Sequence, residues 1–170
     1  MKKGTTLYNV IFPIWMLWLF PLSWLVVLPM NYVIDRLVVK LTQRRFQMPD
    51  ILKKDKGAIW KVWGFGFLSD LIGTAAMFLI TAIEFPSPET DRWWYDHVSN
   101  AVSYNPFSSV YALIAIVLCV ALAGLCIYLF NYHISFRKSN LSAEQRKRLS
   151  MNLALFTAPY LFFLPTMWIY

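Results

Sequence analysis

Val62–Phe85 reads VWGFGFLSDLIGTAAMFLITAIEF, and this stretch decides the solvent in which the chain folds. Its twenty-four residues carry one charge before Glu84. As a helix they are long enough to cross a hydrocarbon core of about 30 Å. The one charge is Asp70. Counted from Lys61 at about 1.5 Å per residue, it lies roughly 14 Å deep, near the midplane. An ionised Asp at a helix centre costs about 2.5–3.5 kcal/mol on insertion. A side chain kept there at that cost is expected to face protein and to have a partner or a task.

Composition points the same way. Apolar residues make up 58% of the chain, aromatic residues 18% and charged residues 15%, more apolar surface than a soluble domain of this size can bury. The net charge of +7 is compatible with nucleic acid, but the charges fall in short loops and no soluble domain is left over to read nucleic acid. Upstream of the opening stretch, Leu7–Leu41 would be about 52 Å long as one helix, too long for an untilted crossing. Pro13, Pro21 and Pro29 interrupt it, and Trp15, Trp18 and Trp24 cluster around Pro21. That clustering sets Pro21 at an interface, with residues 7–20 along the surface. The expected fold is therefore all-α: a single membrane domain of four transmembrane helices, at about 21–40, 62–85, 110–136 and 151–170, plus short interfacial helices.

The loops orient the bundle. Residues 42–61 hold Arg44, Arg45, Lys53, Lys54, Lys56 and Lys61 against Asp50 and Asp55, and residues 137–150 hold Arg137, Lys138, Arg146, Lys147 and Arg148. Both loops are expected in the cytoplasm, their bases near anionic lipid headgroups. The loop at 86–109 is acidic on balance and falls on the opposite side, as expected of a multi-pass protein of a bacterial plasma membrane. Pro49 precedes a short surface helix, Ser87 and Pro88 read as a helix start, and Ser142 with Gln145 reads as a capping box. No stretch has the proportions of a signal peptide.

Chemistry would come from polar groups that the spans bring to similar depth. Gly66, Ser69, Asp70, Gly73, Thr74, Met77 and Thr81 form one small or polar stripe. The first span adds Asn31, Asp35 and Arg36, the third adds Asn131 and His133, and the fourth adds Asn152. The acids, amides and His133 lie toward the cytoplasmic loops and suggest a polar cavity open to that side. Asp70, Asp35, His133, Asn31, Asn131 and Arg36 are its ion- or proton-binding candidates. Ala112, Ala115, Cys119, Ala123 and Cys126 make a small-residue face that continues to His133 at helical spacing and is expected to meet another helix. The two cysteines are about 10 Å apart in rise, out of disulfide reach. Asp91, Asp96 and His97 do not share a helix face, so no metal is expected, and no cofactor motif is present. The chain has no H-E-x-x-H, C-x-x-C or G-x-S-x-G, which weighs against an enzyme. Two readings remain. One is an oligomeric channel or a proton- or cation-coupled transporter, built as a homo-oligomer because four spans have little interior to hide a midplane acid. The other is an accessory, scaffold or immunity-type subunit whose polar stripe binds a partner membrane protein.

Overall fold

The computed structural model describes Leu22, residues 24–54 and residues 57–168, without the side chains of Lys53 and Lys54. The surface segment expected at 7–20 and the last two residues of the span expected at 151–170, Ile169 and Tyr170, lie outside the described residues. Among the described residues every regular element is helical. In order these are α1 (Trp24–Arg45), α2 (Ile51–Lys54), α3 (Ala58–Thr81), α4 (Pro88–Trp94), α5 (Asn100–Tyr104), α6 (Val110–Phe130) and α7 (Ala143–Thr157). Single π-helical turns occur at Tyr95–Ser99 and Asn131–Ser135, and 3-10 turns at Pro106–Ser108, Tyr160–Phe163 and Thr166–Trp168.

Among the described residues two helices are long and apolar enough to cross a membrane: α3, and α6 continued through its π turn to Ser135. Only 28% of either apolar window is buried, the reverse of a core helix in a soluble protein. Helix α1 carries Asp35, Arg36 and Lys40 in its 22 residues, and α7 has only 15 residues.

The helix ends follow local chemistry. At the end of α1 the Met48 amide reaches back to the Gln43 carbonyl at 2.9 Å, with Gln47 at φ 51°, a left-handed cap that more often holds glycine. Gln43 Nε2 donates to the Pro49 carbonyl at 2.7 Å and ties the turn down. Pro88 sits in the first turn of α4 after Ser87. The capping box of α7 is formed in both directions: Ser142 Oγ accepts from the Gln145 amide, and Gln145 Oε1 accepts from the Ser142 amide.

Helices α1, α3, α6 and α7 pack up and down around two apolar clusters. One, at the end of the basic loops, contains Val39, Val62, Ile127, Phe136, Leu149 and Leu153. The other, toward the acidic loop, contains Met77, Val102, Ala112, Ile116, Cys119 and Phe162. Between them, Gly73 lets α3 lie close on α6: a Cβ there would stand 3.0 Å from Ala123 Cβ and 3.3 Å from the Cys119 carbonyl oxygen. Small residues drive such approaches because helices in lipid associate through packing. Ala112, Cys119 and Ala123 of the expected small face are buried, while Ala115 and Cys126 are half exposed. Both cysteines are free thiols.

The last helix departs from expectation at its end. It starts at Ala143, behind the expected capping box, but where a span at 151–170 is expected it stops at Thr157. Pro159 has no amide proton and pushes Ala158 into extended backbone, here ψ 152°. The chain continues as 3-10 turns around Pro159 and Pro165, closed by bonds such as Phe162 N to Pro159 O at 3.1 Å and Trp168 N to Pro165 O at 3.1 Å.

Candidate functional site

A polar layer separates the two apolar clusters, and α1 and α3 supply it. On α3 the period of 3.6 puts Gly66, Ser69, Asp70, Gly73, Thr74 and Met77 on the buried face, with Thr81 half exposed at the end. Ser69 and Thr74 donate their hydroxyls to their own helix, to the carbonyls of Phe65 at 2.7 Å and Asp70 at 2.9 Å. Neither hydroxyl therefore serves the Asp70 carboxylate. On α1, Asn31 and Asp35 are one turn apart and face α3. Asn31 Nδ2 donates to Asp70 Oδ2 over a long 3.4 Å, while Asp70 Oδ1 is buried without a partner among the described residues. Asp35 lies against bare α3 backbone, where a Cβ on Gly66 would be 3.4 Å from its Oδ2.

Both aspartates are 3% exposed and close enough that their charges repel when both are ionised. Among the described residues no lysine, arginine or histidine pairs with either. A buried carboxylate without a partner is costly in a low-dielectric interior, so each needs a proton, a hydrogen-bond donor or a cation.

The carboxylates open onto a cavity of about 420 Å³. Asn31, Ile34 and Asp35 of α1 and Gly66 and Asp70 of α3 form one wall. The broken segment from Phe156 to Pro165, with Trp168, forms the other. Non-helical backbone at such a place is tolerated where it borders a cavity, which is where Ala158, Pro159, Leu164 and Pro165 lie. The cavity reaches Phe107, in the turn before α6, while the cluster around Val39, Val62 and Leu153 closes the other direction. It thus extends away from the basic loops, not toward them as residue depth along the spans suggested.

Three sequence candidates, Asn31, Asp35 and Asp70, meet in this cavity, and three do not line it. Arg36 turns to the basic end, where it borders a separate groove with Lys40, Gln43 and Arg44. Asn131 is fully buried, its Nδ2 donating to the Ile127 carbonyl at 2.8 Å. His133 is exposed and packs edge-on to Tyr132, ring centroids 4.8 Å apart. Asn152 serves the scaffold, its Nδ2 donating to Thr42 Oγ1 at 3.2 Å and joining α7 to α1. The aromatic and proline-rich wall was not anticipated from sequence. The signal present was Pro159 and Pro165 inside an apolar run, which marks a break as well as a kink. No protein family matches the chain, and no curated protein or solved structure is significantly similar to it.

Proposed function

We propose that this chain is a multi-pass plasma-membrane carrier coupled to a proton or cation, with Asp35 and Asp70 as its binding groups and the basic loops in the cytoplasm. The observation that carries the reading is the buried carboxylate pair, unpaired by any cation among the described residues and opening onto a cavity. An acid in a membrane interior is a functional group by default, because an idle one is a standing cost.

The four-crossing arrangement has several supports. Large apolar side chains such as Leu79, Leu118, Leu125 and Leu155 are exposed around the bundle, a surface suited to lipid. Aromatic clusters sit at either end, Tyr32 with Trp60 and Trp63 near the basic loops and Trp93 with Tyr111 near the acidic one, as interfacial anchors do. Arg36 and Lys40 are placed to snorkel toward the basic end. Helix α1 can then cross with Asp35 turned inward. The break after Thr157 resembles, at the level of architecture, the interrupted helices that form binding sites at mid-depth in carriers. A packed apolar cluster below the carboxylates favours a carrier over an open channel. One copy buries both acids, so the site itself does not call for a homo-oligomer.

The test is flux into proteoliposomes, followed with an internal pH dye under imposed proton, sodium and potassium gradients. Wild-type protein is expected to move protons or the cation, and Asp70→Asn to lose at least about tenfold in rate while eluting at the same size. Equal flux from both would remove Asp70 from the mechanism. A wild type silent under every gradient would leave the polar stripe as a docking face for a partner membrane subunit.

A further inference from the structure

We propose that the cavity at Asp35 and Asp70 takes an organic monocation with a bulky apolar body, a lipophilic ammonium or phosphonium, and not a divalent metal ion. The inference names the substrate of the carrier proposed above and rests on that reading for its purpose, but its geometry stands independently.

Charge sets the sign of the ligand. Two buried carboxylates with no cation against them among the described residues repel an anion. A neutral guest without a hydrogen-bond donor would leave the unpartnered Oδ1 of Asp70 as costly as before. A cation compensates it. Size sets the class, since about 420 Å³ falls within the roughly 300–1,000 Å³ of small-molecule sites. Magnesium or calcium would need a close shell of about six or more oxygens at roughly 2.0–2.6 Å. Here the side-chain oxygens come from Asn31, Asp35 and Asp70 at one end, with Thr157 and Tyr160 elsewhere on the lining. The rest of the wall is the wrong chemistry for such a metal: Ile34, Phe156, Phe163, Leu164 and Trp168 offer apolar and aromatic surface. Aromatic faces attract organic cations, whose charge is spread and weakly hydrated. The acids give the site its sign and the aromatic wall gives it its preference for a large apolar body.

The experiment is equilibrium dialysis of radiolabelled tetraphenylphosphonium against the purified full chain in detergent micelles, with empty micelles subtracted. Saturable binding of one cation per chain is expected, displaced by unlabelled tetraphenylphosphonium but not by triphenylphosphine oxide, which has a similar body without the net charge. Asp35→Asn/Asp70→Asn should weaken binding by at least about tenfold, a loss of about 1.4 kcal/mol. Phe163→Ala should weaken tetraphenylphosphonium severalfold. It should leave tetramethylammonium, which carries the charge without the rings, within twofold. Arg36→Gln, outside the cavity, should bind as wild type does. Each variant is first checked for wild-type elution and thermal unfolding, and Asp70→Asn alone replaces the double variant if that one fails the check. Undiminished binding by the carboxylate variant, or equal displacement by the neutral oxide, would overturn the proposal. Tetraphenylphosphonium binding without ion flux would keep this site and end the carrier reading. Ion flux without such binding would do the opposite.

Discussion

Helix α3 has two working edges, and two glycines one heptad apart show how they differ. At Gly73 the missing side chain is replaced by neighbours: a Cβ would meet Ala123 Cβ at 3.0 Å, Phe162 Cε2 at 3.1 Å and the Cys119 carbonyl oxygen at 3.3 Å. At Gly66 the only neighbour among the described residues within 4 Å of such a Cβ is Asp35 Oδ2, at 3.4 Å. The first edge is a seam in which absence of a side chain becomes packing. The second is a cleft in which absence of a side chain leaves room beside two acids. The same residue type on the same helix therefore serves cohesion at one position and access at the other. Dispersion contacts hold the seam, while the cleft carries unpaired polar groups that contribute nothing to stability.

The largest effect should come from filling the seam. Gly73→Leu places a branched side chain where even a methyl group is crowded by α6 and by Phe162. The cost should be about 3 kcal/mol, the upper range for overpacking. Reversible unfolding in mixed micelles would measure it. Because Phe162 adjoins Phe163 of the cavity wall, the cleft should be deformed as well. Wild-type stability in this variant would mean that α3 and α6 are not in close contact.

A matched change in the cleft should do far less. Gly66→Ala gains roughly 1 kcal/mol of helix propensity, against an ordinary contact with Asp35 Oδ2. The net change should stay within about 1 kcal/mol of wild type in the same assay, with either sign. A loss near that of Gly73→Leu would show that the Asp35 side is packed as tightly as the seam, and the distinction between the two edges would fail.

The seam was legible in the sequence and the cleft only half so. A 3.6-residue period places Gly66, Ser69, Asp70, Gly73, Thr74, Met77 and Thr81 on one face, and all but the terminal Thr81 are buried. Periodicity within one straight helix is a strong signal. Ser142 and Gln145 announced their capping box for the same reason: the interaction is local. Depth alone was a poor guide to which polar groups meet. Arg36, Asn131 and His133 lie toward the same end as Asp35, yet direction around each helix axis takes them elsewhere. His133 shows the cause most clearly. Extrapolating seven residues from Cys126 presumes a regular helix, but Asn131–Ser135 is a π turn, whose extra residue shifts the register. Ile127, Asn131 and Ser135 are buried instead. The aromatic wall is not legible because the apolar run at 151–170 has the length of a continuous span, and Pro159 and Pro165 alone do not show how far the helix is broken. Breaks of this kind need a cavity beside them to be stable in a membrane, and a cavity is a tertiary fact.

The smallest effect on stability should come from Asp70, the residue on which the proposed carrier function most depends. Asp70 looks indispensable by burial, yet its carboxylate has one long bond from Asn31 and one oxygen with no partner among the described residues. Asp70→Asn keeps the volume and keeps an oxygen to accept from Asn31. It also ends the charge repulsion with Asp35, and an amide can donate where a carboxylate only accepts. The unfolding free energy should therefore change by less than about 0.5 kcal/mol or rise, as when a group held for function is replaced by one that only packs. The assay is the one used for the two glycines, so the three numbers stand on one scale. A loss above about 1 kcal/mol, comparable to breaking an interhelical hydrogen bond in a bilayer, would mean that the carboxylate holds α1 to α3. The cleft would then be a second seam, and the acid pair a structural element.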